Sequence, residues 1–160
     1  MSPAAAPAHD ASPLTPIDTE KLDGELRRVA DAVLGQPFTR LLGTRITEIS
    51  AGTLTLAIDN RQGLSQQNGF IHGGVIGYLA DNACAAVAGT MRPDGALGAV
   101  TAEYKINILR PAVGGTAISR ATIIRAGRSQ AVTEARVSCI TGKEEKLVAV
   151  ALATISYLYP

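Results

Sequence analysis

Tryptophan is absent from this chain, and aromatic residues together make up only 4% of it. The interior must therefore be built from small aliphatic side chains and not from large rings. An excess of charge is missing too: fifteen Lys and Arg against fourteen Asp and Glu leave a net charge of +1. Such a balance lacks the basic face with which nucleic-acid-binding domains hold phosphates, so no nucleic-acid partner is expected. Only two cysteines occur, Cys84 and Cys139, each inside an apolar segment and neither in a metal-ligand spacing. They argue against a disulfide framework and for reduced thiols in a cytoplasmic protein, with no metal site. No apolar run approaches the ~20 residues that cross a bilayer, so no membrane partner is expected. Residues 1–17 are rich in Ala and Pro, with neither a basic start nor a continuous apolar stretch. They read as a disordered tail and not as a signal peptide. Residues 18–160, in a chain that is 46% hydrophobic, suffice to bury one core and are expected to form a single domain.

Periodicity supplies the elements. Residues 18–34 place Leu22, Leu26, Val29 and Val33 at helical spacing, with Asp18 or Thr19 as a cap and Gly35 and Pro37 as a stop. Over 44–60 the period shortens to two: Leu54, Leu56 and Ile58 alternate with polar or small neighbours, and Gly52 marks a turn between two strands. Residues 61–70 are a polar loop, and 73–90 form an apolar helix of small residues. Strands follow near 98–110, 115–126, 129–141 and 146–158, punctuated by Arg92-Pro-Asp-Gly, Gly114-Gly115, Gly127 and Gly142. In the first of these, Val100, Ala102, Tyr104, Ile106 and Ile108 alternate with Thr101, Glu103, Lys105 and Asn107, which predicts a half-buried antiparallel strand. The last is apolar on both faces and is expected at the sheet's centre. The helix at 73–90 is the long apolar element available to such a meander. An α+β arrangement follows, a curved antiparallel sheet wrapped around a central helix.

One stretch carries chemistry. In Asn68-Gly-Phe-Ile-His72-Gly73-Gly74 a His-Gly-Gly turn opens the helix, and Asp81 stands nine residues beyond His72 among apolar neighbours. A carboxylate buried there without a partner would cost stability, so chemistry or a specific partner is its expected reason. The first N–H groups of the helix have no intrahelical acceptor and lie at the positive end of its dipole, and glycines leave them open to approach.

The order of elements and the motif Gly69-x-x-His72-Gly73-Gly74 followed by Leu79-Ala80-Asp81 resemble the hotdog-fold acyl-CoA thioesterases. Within them the likeness is to the phenylacetate-degradation (PaaI-like) and 4-hydroxybenzoyl-CoA thioesterase branch. Asn107-Ile-Leu-Arg110-Pro111 with Gly114-Gly115, and Gly127-Arg128-Ser129, extend the resemblance over roughly 35–158. It implies hydrolysis of an acyl- or aryl-CoA thioester, with coenzyme A as part of the substrate and no further cofactor. It also implies a homodimer as the minimal unit, assembled into a dimer of dimers, a homotetramer. Gln66, six residues before the His, is the family's Gln or Asn, although Asn68 lies close by. By similarity Gln66, His72 and the Gly73 N–H hold the thioester carbonyl, and Asp81 is the general base or nucleophile. Asn68, Gly74, Arg110, Arg125, Arg128 and Ser129 are the expected substrate and coenzyme A contacts.

The chemistry of a thioester agrees, since its hydrolysis needs a donor for the developing oxyanion and a base or nucleophile opposite. At 1.5 Å per residue, His72 and Asp81 lie about 13 Å apart along the helix, too far to serve one carbon. A two-fold dimer in which Asp81 of one helix faces Gly73 of its mate would complete two sites.

Each residue has a plainer reading beside this one. His72 can be a simple cap, Asp81 a carboxylate satisfied by a hydroxyl or backbone N–H, Gln66 a solvated loop residue and Tyr78 a packing residue. The three arginines can decorate strand ends; their functional reading is a fork on the phosphates of coenzyme A. Two other functions compete. A non-catalytic acyl-CoA-binding or sensing protein has no need for Asp81. An enoyl-thioester hydratase calls for a His and an acid in motifs that are absent.

Overall fold

The computed structural model describes residues 14–22 and 24–160. Most of the expected tail, residues 1–13, lies outside the described residues. Residues 14–17 run beside the first strand, where the Ile17 N–H donates to the Ile46 carbonyl at 3.0 Å and Arg45 Nε to the Leu14 carbonyl at 3.1 Å.

The helix expected over 18–34 is divided. A 3-10 turn, Thr19–Lys21, is capped by Asp18, whose side chain accepts from the Glu20 N–H, and α1 follows over Gly24–Gly35. Pro37 both ends α1 and opens a second short helix, α2 (Pro37–Leu42), because its fixed φ and missing N–H suit a first helical turn. The strands are β1 (Arg45–Ser50), β2 (Thr53–Asp59), β3 (Gly98–Ile108), β4 (Thr116–Ala126), β5 (Gln130–Thr141) and β6 (Glu144–Leu158). The central helix, α3, spans Gly73–Gly89. No helix among the described residues is long and apolar enough to cross a membrane.

The strands form one antiparallel sheet in the order β1-β2-β4-β5-β6-β3. Helix α3 is apolar around most of its circumference, and eleven of its seventeen residues are buried, as a helix at the centre of a core must be. Its side chains reach five strands, β2 through β6. Five strands span roughly 19 Å at ~4.8 Å per step, against a helix only ~10 Å across. The sheet therefore has to curve, and register shifts in the pairings of β1, β3, β4 and β5 supply the bends. Leu54, Leu56, Ile58, Leu79, Val137 and Ile155 fill the interface with at most 1% of their surface exposed. Each contributes about 1.5–3 kcal/mol by burial.

Two expectations are corrected. The last strand, β6, is internal but second from the edge, and Leu152 on its outer face is 51% exposed. The edge itself is β3, and its alternation is broken. Thr101 pairs with Ile155 and Glu103 with the adjacent Thr154, so Ala102 is an extra, unpaired residue. The bulge moves Ala99 and Thr101 onto the face that meets α3, turns Val100 outward, and leaves Tyr104, Ile106 and Ile108 facing inward as expected.

Candidate active site

The start of α3 is fixed by backbone. The Ile71 N–H donates to the Ala112 carbonyl at 2.9 Å and the His72 N–H to the Leu64 carbonyl at 2.8 Å, so the helix begins where the 61–72 loop and the segment after β3 are tied together. His72 is the N-cap, and its Nδ1 accepts from the Gly74 N–H at 2.9 Å. A neutral imidazole in that bond carries its proton on Nε2, which points its donor away from the cap. The Gly74 N–H, expected to be open, is thus occupied. Among the described residues no acceptor takes the Gly73 N–H, and Gly73 is exposed. A Cβ on Gly74 would lie 3.0 Å from His72 Nδ1, so glycine is what lets the imidazole fold back onto its own helix.

Gln66 sits in a tight turn beside this helix start. Its N–H donates to the Phe70 carbonyl at 2.8 Å, and the Gly69 N–H donates to the Gln66 carbonyl at 2.9 Å. Gly69 has a φ of +79°, a conformation that favours glycine. Gln66 Oε1 accepts from the Asn68 N–H, which leaves the side-chain NH2 as the donor the residue still has to offer. Asn68 is exposed in the same turn.

Two turns further along α3, Asp81 is half-buried. Its Oδ1 accepts from Thr101 Oγ1 at 2.7 Å, and no described cation pairs with it. Between the two ends, a Cβ on Gly77 would lie 3.4 Å from the Tyr104 hydroxyl, while one on Gly73 would lie 3.6 Å from Ile108 Cδ1. Gly73, Gly77 and Asp81 therefore form one stripe at i, i+4, i+8, with Ile108, Tyr104 and Thr101 of β3 running antiparallel above it. Alternation alone assigned Thr101 to the wrong face, and neither Thr101 nor Tyr104 was identified from the sequence. The bulge at Ala102 leaves no stronger mark there than one small residue.

The remaining candidates divide between the two ends. Arg110 is exposed just beyond β3, beside Phe70 and Lys146, on the side of His72 and Gly73. Arg125, Arg128 and Ser129 lie at the β4–β5 turn. There the Tyr157 N–H donates to the Ser129 carbonyl at 2.9 Å, and Gln130 aligns through Ser156 with Val100, the Asp81–Thr101 end of β3. One chain thus brings together Gln66, Asn68, His72, Gly73, Gly74 and Arg110, and separately places Asp81 and Thr101 at the sheet end that carries Arg125, Arg128 and Ser129. Tyr78 belongs to the core: its ring meets Phe38 edge-on at 5.0 Å, and its hydroxyl contacts Thr39 at 2.8 Å, Thr44 at 3.1 Å and Asn82 at 2.9 Å. Cys84, one turn beyond Asp81, is a buried free thiol pushed up to about 11 by burial; the Asp81 and Glu134 charges add to the rise and Thr133 opposes it.

A helix start with an open N–H and a half-buried carboxylate two turns along the same helix are groups that acyl-transfer chemistry uses, and likeness to known proteins agrees. The thioesterase superfamily model matches residues 68–160, which hold both ends of α3 and all of β3 through β6. The chain belongs to that superfamily. Among solved structures, a thioesterase family protein from Silicibacter pomeroyi is 31% identical, with a TM-score of 0.82, over 86% of this chain and 100% of that one. A conserved protein from Pseudomonas aeruginosa is 28% identical, with a TM-score of 0.66, over 77% of this chain and 94% of that one. A thioesterase from Haemophilus influenzae shares the fold at 24% identity and a TM-score of 0.74, over 87% of this chain and 94% of that one. The sheet wrapped on α3 is accordingly the hotdog fold. No curated protein matches the chain.

Proposed function

We propose that this thioesterase hydrolyses acyl- or aryl-CoA thioesters at a site shared by two chains. The Gly73 N–H, with the His72 Nε2 proton and the Gln66 side-chain NH2, holds the thioester carbonyl and its developing oxyanion. Asp81 of the other chain either takes a proton from the attacking water or itself attacks the carbonyl carbon to give a mixed anhydride that water then cleaves. In both routes the thiolate of coenzyme A leaves and the free acid is released. Arg110, and across the dimer Arg125 and Arg128 with Ser129, reach the phosphates, while Asn68 and Gly74 border the carbonyl site. Coenzyme A enters with the substrate, and the chemistry asks for no further cofactor. The two free, buried thiols are in keeping with a reducing cytoplasm.

The observation that carries this reading is the edge strand. β3 is eleven residues long with one free edge, and Val100 (46%), Tyr104 (41%) and Ile108 (55%) are exposed there. A long apolar edge of this kind invites another strand. Two copies of β3, paired antiparallel about a two-fold axis at Lys105 with the bulged Ala102 of each left out of the pairing, would set Thr101 of one chain opposite Ile108 of the other. Asp81 would then face the partner's Gly73, and the ~12 Å that separates them within one chain would cease to matter. A further pairing of such dimers gives the dimer of dimers.

The test is a panel of acetyl, medium-chain, long-chain and aryl CoA thioesters, followed by release of the free thiol. Turnover of at least one of them, abolished in the folded Asp81→Asn protein, is expected. Release of thiol from none, or equal release by Asp81→Asn, would overturn the reading.

A further inference from the structure

Beside Asp81 the helix layer opens into a cavity of about 270 Å³, walled by Val29 and Val33 of α1, Ala85 and Gly89 of α3, and Leu97 and Ala99 at the start of β3. We propose that this cavity receives the acyl group of the substrate and restricts it to a medium chain or a single ring. The proposal rests on the thioesterase reading above and names the substrate class.

Position is the first reason. Ala85 follows Asp81 by one helical turn, and Ala99 precedes Thr101 by one pleat repeat on the same inward face. The cavity therefore begins where the Asp81–Thr101 pair ends, and an acyl chain whose carbonyl carbon lies at Asp81 has this opening directly ahead of it.

Size is the second. From Asn82 to Gly89 the cavity follows seven residues of α3, about 10 Å at 1.5 Å per residue. A zigzag chain advances about 1.3 Å per carbon–carbon bond of ~1.5 Å, so roughly eight carbons fill that length. The volume leads to the same class, because an apolar cavity of ~150 Å³ already accepts benzene. The value here leaves room for a ring with a short tether.

The third reason is what closes the far end. At Gly89 the two helices meet closely, since a Cβ there would lie 3.0 Å from Val29 Cγ2. At the rim, Arg92 Nε donates to Glu25 Oε1 at 3.0 Å, Arg28 shares the same carboxylate, and the Arg92 side chain is only 14% exposed. A longer apolar chain would have to pass between these charges and strip them of hydration, which costs more than its added methylenes return. A chain that ends in a polar or anionic group meets two arginines against one glutamate instead, and is accepted.

Wild-type kcat/KM is expected to rise from acetyl- to octanoyl-CoA and to fall by about tenfold or more at tetradecanoyl-CoA, the scale set by methylenes an apolar pocket excludes. Ala32→Phe, from an exposed position of α1 on the cavity wall, and Ala85→Leu, from α3, should each lower the octanoyl-to-acetyl ratio by about tenfold. Affinity for the non-hydrolysable thioethers S-octyl- and S-ethyl-coenzyme A, measured by calorimetry on the same proteins, separates this proposal from the catalytic one. A wild type that prefers the octyl thioether but turns nothing over leaves the cavity assigned and the hydrolysis refuted. A preference that survives in Ala32→Phe, which replaces no core residue, or activity that keeps rising to tetradecanoyl-CoA, would overturn the cavity assignment.

Discussion

At its first turn α3 is exposed and held by backbone, with the Gly73 N–H open and the His72 ring folded onto Gly74; two turns on it is largely buried, and what it presents there is one side chain, Asp81, bonded to Thr101. The first end offers a donor that no side-chain substitution can delete. The second depends on a single carboxylate and the hydroxyl that orients it. Mutations at the two ends should therefore differ in size, and that asymmetry is open to measurement.

The largest effect is expected from Asp81→Asn, which keeps the shape and an acceptor for Thr101 but removes the carboxylate proposed as base or nucleophile. kcat should fall by about 10² or more with the fold intact by circular dichroism. At the other end, Gln66→Ala and His72→Ala should each cost less, on the order of tenfold in kcat/KM, because the Gly73 N–H remains. If His72→Ala were as inactive as Asp81→Asn, the roles of the two ends would be reversed. A smaller loss is expected from Thr101→Val, which deletes the hydroxyl bonded to Asp81 at nearly constant volume. One hydrogen bond of about 1 kcal/mol corresponds to roughly fivefold, and Thr101→Ser should restore it. Equal activity in Thr101→Val would show that Asp81 needs no orienting partner.

The smallest effect concerns the two buried thiols, Cys84 one turn beyond Asp81 and Cys139 near Arg110 towards the other end. Burial pushes both Cys84 and Cys139 up to about 11, so each stays protonated at neutral pH. Native protein should react slowly with thiol reagents at pH 8, and unfolded protein at once. A raised folded-state value means that this contribution to stability is complete below the unfolded value of 9.0 and declines as the pH rises towards 11. The urea midpoint should drop over that interval, and less steeply in Cys84→Ala. A midpoint that holds level there would contradict the assignment.

The sequence makes the two ends legible to different degrees. Helix α3, its cap and the isolated acid stand out because glycine pairs and a lone carboxylate are unusual in an apolar run. The curved sheet could be inferred from a meander with one helix to cover. Thr101 could not, because a β-bulge shifts every residue on one side of it to the opposite face, and here Ala102 is its sole trace. The position of β6 was misjudged for a related reason: an apolar pattern on both faces reports burial or an interface, and Leu152 is exposed in the single chain. Nor could local pattern reveal the break between the 3-10 turn and α1, or Pro37 acting as a helix start.

The shared site is the central claim, and mixing inactive subunits tests it most directly. Asp81→Asn chains and Gln66→Ala/His72→Ala chains are combined under conditions of demonstrated subunit exchange, and thiol release is measured. In a mixed dimer one site carries both defects and the other neither. Random pairing makes about half the dimers mixed, so roughly a quarter of wild-type activity should return. Exchange without any recovery would mean that each chain builds its own site, and the account of two chains joined along β3 would be wrong.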